Sequence, residues 1–577
     1  MSSTAHATLR PRLVLALILV AAACLAYANT LANGFVYDDE FQVLKNPWIR
    51  DFRNLPAIFS SEVWGFKGSS ISNYYRPLLH VAYLVGYHLF GLAAWGYHAI
   101  NLLLHAVATL LVYLLAETVL SRETAGAPSG AYSFPALAAA LIFAVHPIHT
   151  EVVAPVMSVT DLLLTVSYVS ALYLHLRFAE RPWYFNLVPA GLFGLALLSK
   201  EIGITLPLVL IAGDFLLAQR RAPLARLAAR HAPYLVVALA YLAVRGSVLG
   251  AFAPINRHPD LSGFQLILNI FPLAVQYGFK LLLPVDLNAM YEFHPVKSLA
   301  EPRAYLSVGA VAAAAWLCPA GARRSKTVAF GVVLTVVPLL PAFYIRAIPY
   351  PFAERYLYLP SVGAVLVLAG LLARYARQPK LLRTLQVALA VVACCYLAGT
   401  VRRNAVWKDN YTLWSDTVLK SPGNAVVHNN LGEALRVMGR LPEAIAQLRQ
   451  AAELDPHTEY FRHLGNAYYE AGDKTEAARQ YEKAVTLEPA NPMAHNDLGS
   501  LYAELGNFGQ SIVHLEAAVR LDPAQADSHF NLGLVYRDTG RIDPALAQFE
   551  AALRLNPNEP AYRAALAEAY AVKQRSR

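Results

Sequence analysis

Eleven apolar runs punctuate the first 400 residues, near 13–32, 94–118, 133–147, 155–176, 183–199, 203–218, 231–249, 303–318, 327–345, 356–374 and 380–400. They predict eleven membrane-spanning helices. The first run follows Arg10 and Arg12. It is longer than a signal-peptide core, which is usually about 7–15 residues, so it predicts an uncleaved helix with its N-terminus in the cytoplasm. The stretch 264–284 is interrupted by Pro272, Gln276 and Lys280. It suits an interfacial or re-entrant helix better than a span.

After Ser421 the pattern changes from continuous apolar runs to a repeat. Prolines 422, 456, 489, 523 and 557 recur every 33 or 34 residues, and Gly432, Gly465, Gly499 and Gly533 keep the same step. Each unit closes on Ala-rich periodic sequence before a proline: AAELDP, AVTLEP, AVRLDP, ALRLNP. This resembles the tetratricopeptide repeat, two antiparallel helices with a small residue at their crossing. Four such units and a helical tail over 559–572 predict a continuous core. Two positions before each glycine stand Asn430, His463, Asp497 and Asn531. In some repeat proteins of this class an asparagine ladder there lines the concave face and holds peptide backbone. That makes Asn430 and Asn531 candidates for an acceptor or partner groove, against the alternative of a solvated polar face.

Composition supports the division. The 577 residues are 56% apolar and 15% charged, where a soluble chain carries about 25%. This excludes an ordinary soluble enzyme, a disordered chain and a disulfide scaffold. Residues 421–577 hold 15 basic and 20 acidic groups, a net of −5, and the rest of the chain 33 and 19, a net of +14. Sixteen cations fall on alternate loops: Arg10, Arg12, Arg122, Arg177, Arg181, Arg220, Arg221, Arg226, Arg230, Arg323, Arg324, Lys326, Arg374, Arg377, Lys380 and Arg383. Those loops hold almost no carboxylates, while Asp38, Asp39, Glu40, Glu62, Glu151, Glu201, Glu292 and Glu354 fall on the others. This is the positive-inside pattern of a multi-pass plasma (inner) membrane protein, and it explains the basic surplus without nucleic acid. The chain after residue 400 then emerges on the extracytoplasmic side. The reading is all-α: a polytopic membrane domain over 1–405, a linker over 406–420 and the repeats over 421–577.

The chemistry concentrates on the external side. The loop 33–93 opens with GFVYDDE, so Asp38, Asp39 and Glu40 lie just past the first membrane helix. Carboxylates at that boundary could hold a divalent metal or act as a general base. FAVHPIHTE places His146, His149 and Glu151 after the third run, LLSKEIG places Lys200 and Glu201 after the fifth, and PYPFAERYLYLP places Arg355 and Tyr356 before the tenth. Lys200 and Arg355 suit a phosphate or pyrophosphate. The two histidines could ligate a metal, or equally pack at a helix end. Ionisable groups this deep default to functional hypotheses. A non-catalytic membrane-anchored repeat scaffold is the rival reading, but an anchor needs one helix and has no use for acidic and basic groups gathered at one face.

Together GFVYDDE, YYRPL, FAVHPIHTE, SKEIG and ERYLYLPSVG, followed by the repeats, resemble the transmembrane and tetratricopeptide-repeat-containing O-mannosyltransferases. These have the C-type glycosyltransferase fold and are related to the protein O-mannosyltransferases. The resemblance implies transfer of mannose or another hexose from a polyprenyl-phosphate carrier to hydroxyls of extracytoplasmic proteins, with inversion. It implies a catalytic base at Asp38 or Asp39, with Asp38 preferred. Arg76 matches the family's loop-helix motif, and donor-phosphate binding falls to Lys200, Arg355 and Arg76. Where the family carries GRAD after HPIHTE, this chain reads MSVTD and keeps only Asp161.

Overall fold

The structure, a computed structural model, describes residues 3–68, 72–123, 133–218, 222–250, 257–322, 324–375 and 378–575. Four of the loop cations named above, Arg220, Arg221, Arg323 and Arg377, lie outside them. Among the described residues every regular element is helical. The chain divides into two units, Met1–Leu413 and Trp414–Arg577.

Among the described residues of the first unit, eight helices are long and apolar enough to cross a membrane: Leu13–Ala32, Ala94–Glu123, Val156–Arg177, Leu224–Leu249, Gly263–Leu282, Lys326–Phe343, Glu354–Tyr375 and Lys380–Trp407. A ninth arises if Phe134–Val145 and Pro147–Val153, bent by 47°, form one broken span. The count differs from eleven because a bilayer core needs about 20 helical residues. The helix in the 203–218 run covers only Leu206–Leu216, and the 183–199 run yields a short apolar helix, Trp183–Ser199. Gly263–Leu282, read from sequence as interfacial or re-entrant, passes by length and composition. Leu17, Leu25, Leu103, Val236, Leu239 and Val387 are exposed on these helices, as lipid-facing positions require.

The core of this unit is built on Ala94–Glu123, which packs against Ser3–Tyr27, Ser133–Val145 and Val159–Arg177. Tyr27, Val112, Phe143, Tyr168, Phe193 and Tyr358 meet there. Lys326–Val336 and Tyr358–Tyr375 approach backbone to backbone. A Cβ on Gly331 would stand 2.8 Å from the Gly363 carbonyl, so a larger residue would force these helices apart. Glu123 closes the far end of the same pair. It accepts from Ser325 Oγ (2.9 Å) and from the backbone N–H groups of Lys326 (3.1 Å) and Thr327 (3.0 Å), capping a helix more than 200 residues away.

The second unit holds four helix pairs. They are Ala425–Val437 with Leu441–Leu454, Thr458–Glu470 with Lys474–Leu487, Pro492–Glu504 with Phe508–Leu521, and Ala526–Asp538 with Ile542–Leu555. Pro560–Arg575 follows them. The stretch 406–420 is largely helical, with Asn410–Lys420 crossing the boundary between the units.

Candidate active site

The backbone turns sharply where the first helix ends. Tyr37 adopts φ +53°, a left-handed conformation uncommon for a residue with a side chain, and its N–H donates to Asn410 Oδ1 at 2.8 Å. The three carboxylates that follow then meet three different environments. Asp39 is fully buried, and its Oδ2 accepts the backbone N–H groups of Val36 (3.2 Å) and Val156 (3.3 Å). Glu40 accepts from Asn410 Nδ2 at 2.5 Å. Asp38 is half-buried, and its carboxylate takes no hydrogen bond among the described residues. The three therefore do not converge on one point, and they form no metal-holding group among the described residues.

Burial raises the carboxyl of Asp38 to about 6, with the positive fields of Arg355 and Lys67 pulling against it. Burial raises Asp39 to about 7, against the amides that hydrogen-bond it. Of the pair, Asp38 alone combines a pKa near working pH with an open carboxylate.

Arg355, whose field reaches Asp38, belongs to a group of three buried or half-buried ion pairs. The backbone at Lys200 is extended, between the helix Leu187–Ser199 and the turn Glu201–Thr205, so the two neighbouring side chains diverge. Lys200 Nζ reaches Asp161 at 2.7 and 2.9 Å. Glu201 takes a bidentate grip from Arg76, Nε at 3.0 Å and Nη2 at 2.5 Å. Burial would raise the Glu201 carboxyl, but Arg76 overrides it and holds it at about 2. Glu151 receives the Arg355 guanidinium and its backbone N–H (2.9 Å). Tyr356 lies between two of these cations, its ring centroid 5.3 Å from Lys200 Nζ and 5.5 Å from the Arg355 guanidinium. So Asp38, Arg76, Glu151, Lys200, Glu201, Arg355 and Tyr356, scattered over more than 300 residues, occupy one neighbourhood.

His146 and His149 are tied into the packing beside it. His146 Nδ1 accepts the Ile148 N–H (3.2 Å) and Nε2 meets the Leu281 carbonyl (3.2 Å), while His149 Nε2 meets Ser361 Oγ (2.9 Å). Metal-ligand spacing occurs instead at His175, Asp214 and His231. There the Arg230 guanidinium already donates to Asp214 Oδ1 (2.8 Å) and meets His175 Nε2 (3.0 Å), a cation in the seat a metal would need.

Sequence reasoning missed the pairing of Lys200 with Asp161, the contact of Asn410 with Glu40, and a cavity of about 400 Å³. Its walls are mostly apolar, with Ile202, Leu242, Leu340 and Ile348, and its polar edge holds Asn73, Tyr74, Glu201, Tyr241, Arg245 and Tyr356. The only sequence signal was a lone arginine in the apolar run 231–249.

In the repeat unit, Asn531 Nδ2 donates to Asn496 Oδ1 (3.0 Å), and Asn430 Oδ1 accepts from Asn429 Nδ2 (3.3 Å). His463 meets Asn429 (2.8 Å), and Asp497 meets Arg462 (2.8 Å). His463, Asp497 and Asn531 thus form polar rungs to the preceding repeat, whereas Asn430 bonds its neighbour within the same helix.

Residues 77–248 match the family model described as dolichyl-phosphate-mannose-protein mannosyltransferase. Tetratricopeptide-repeat models match 425–458, 465–506, 496–560 and 530–576. A protein O-mannosyl-transferase of Caenorhabditis elegans is 29% identical over 455 residues, 77% of this chain and 63% of that protein. One of Mus musculus is 27% identical over 521 residues (82% and 54%), and one of Homo sapiens 28% over 508 (78% and 56%). This chain thus spans between about half and two thirds of the length of these relatives. A stretch that matches a mannosyltransferase family model thus precedes one that matches tetratricopeptide repeats, and the likeness to the protein O-mannosyl-transferases extends over most of the chain.

Proposed function

We propose that this protein is a multi-pass membrane glycosyltransferase that moves mannose, or another hexose, from a polyprenyl-phosphate carrier to hydroxyls of extracytoplasmic proteins. Asp38 removes the proton from the acceptor hydroxyl as it attacks the anomeric carbon, and the departing phosphate is stabilised by the surrounding cations. One base and no second nucleophile give inversion. Lys200, Arg355 and Arg76 set the positive field on the donor side, each tempered by its carboxylate. The repeats hold acceptor protein or a partner through Asn430 and Asn531, and the active face and the repeats lie outside the cytoplasm.

The observation that carries this reading is the half-buried Asp38 carboxylate, without a hydrogen bond, in the field of Arg355 and beside three ion pairs. Burying a charge cluster of this kind carries a desolvation cost, which argues that the cluster has a use. The likeness of residues 77–248 to a mannosyltransferase family supports the choice of sugar. The test is glycoproteomics of a strain lacking the gene, complemented with wild type or with Asp38→Asn. Hexose on secreted proteins should return only with wild type. Its return with the variant would overturn the reading.

A further inference from the structure

We propose that Asn410 is a positioning residue of the active site, holding the Asp38 carboxylate where it meets the acceptor hydroxyl. This rests on the role given to Asp38 under the proposed function. One side-chain amide spans the turn that carries the aspartates: Asn410 Oδ1 accepts the Tyr37 N–H at 2.8 Å, and its Nδ2 donates to Glu40 Oε1 at 2.5 Å. It thus grips the residues on either side of Asp38 and Asp39.

The turn needs such a grip. Tyr37 sits at φ +53°, and a residue with a side chain stays there only where its surroundings hold it. Asp38 has no tether of its own, since its carboxylate takes no hydrogen bond among the described residues. Its direction is therefore set by the backbone. That backbone is fixed at Asp39 by the Val36 and Val156 amides, and at Tyr37 and Glu40 by Asn410. The segment leading to Asn410 is itself tied to the end of the first helix. Asn404 Nδ2 donates to the Ala26 carbonyl (2.8 Å), Asn29 Nδ2 to the Val401 carbonyl (3.0 Å), and the Gly34 N–H to the Lys408 carbonyl (2.9 Å). Asn410 is the rung of this ladder that reaches the carboxylates. An asparagine suits the place because its two ends differ: the oxygen meets an N–H and the NH2 meets a carboxylate. An aspartate would keep the first bond and set two carboxylates against each other. A reacting group displaced by about 1 Å can lose about 10²-fold in rate, so a residue that never touches substrate can control turnover.

The test places full-length variants in membranes of the strain lacking the gene and follows radiolabel from polyprenyl-phosphate mannose to endogenous protein. Immunoblots give the protein level, and melting of the purified variants gives stability. Asn410→Ala should lower the saturated rate by about 10–100-fold and leave the donor KM unchanged, because Asp38 acts on the acceptor. Asn410→Asp should lower the rate too, and its added charge should move the acid limb of the pH profile upward. Exchanging the partners, Asn410→Asp with Glu40→Gln, rebuilds the bridge with donor and acceptor reversed and should recover most of the rate. A wild-type rate in Asn410→Ala overturns the assignment and leaves Asp38 standing as the base. So does an exchanged variant that recovers nothing, and that arm decides the matter if Asn410→Ala does not fold. A rate that falls only as far as the protein level would make Asn410 a purely structural residue, which also overturns the assignment. A wild-type rate in Asp38→Asn overturns the reading of Asp38 and this assignment with it.

Discussion

Lys200 Nζ stands 2.7 Å from Asp161 Oδ1 and 2.9 Å from Oδ2, with both side chains buried. The last acidic residue of the MSVTD segment is thus the counterion of the SKEIG lysine. In the proposed function, Lys200 therefore meets the donor phosphate as half of an ion pair.

Breaking this pair strands a buried charge. Asp161→Ala is expected to cost about 3–5 kcal/mol, and Lys200→Met/Asp161→Leu to recover much of that loss. Thermal unfolding of the purified variants in detergent measures both. A single variant as stable as wild type would mean that the two side chains are not paired.

The neighbouring aspartates should separate by phenotype. Asp38→Asn is expected to keep wild-type stability and lose turnover by roughly 10²–10⁴-fold, the contribution of a positioned base. Asp39→Asn places an amide among backbone donors and should cost about 1–3 kcal/mol of stability. Mannosyl transfer in purified membranes, read beside melting temperature, distinguishes them. An Asp39 variant that is stable but inactive would reverse the assignment.

The pH profile follows from burial. An acid raised to about 6 is protonated below that pH and cannot take a proton, so activity should rise with unit slope up to about pH 6 and level off above it. Lys67 pulls Asp38 down, so Lys67→Met should move this limb to higher pH. A limb that stays in place would remove Lys67 from the account.

Reporter fusions settle the side on which the site lies. Activity is expected inside at residue 225, inside at 324 and outside at 405. An external signal at 324 would put Gly263–Leu282 across the membrane and move the repeats to the other face.

In the repeats, the crossing glycines are set by contact. A Cβ on Gly432 would come within 2.5 Å of Leu448 Cγ, and one on Gly499 within 2.8 Å of Leu515 Cγ. Gly432→Ala in a fragment spanning 414–577 should lower stability by about 1–3 kcal/mol, the usual cost of overpacking. Circular dichroism melting of the fragment checks this, and an unchanged melt would mean the helices part freely there.

The sequence by itself determined what depends on near neighbours along the chain. Membrane helices follow from apolar length, so the division into a greasy unit and a repeat unit was legible at once. The repeat hairpins follow from a 33–34 residue period, and Gly439, Gly472, Gly506 and Gly540, each at positive φ, end their first helices. The candidate residues were legible as charged islands between apolar runs, and the span count differs chiefly where a run yields a short or broken helix. The tertiary structure alone decided how those residues differ. Asp38, Asp39 and Glu40 are adjacent, equally acidic and indistinguishable by pattern. Asp39 is set apart by an amide 117 residues away, and Glu40 by an asparagine 370 residues away. The partner of Lys200 and the cavity at Arg245 likewise arise where distant helices meet. Burial and charge pairing act through space at a few ångströms, and no local pattern in the chain records which distant segment will fill that distance.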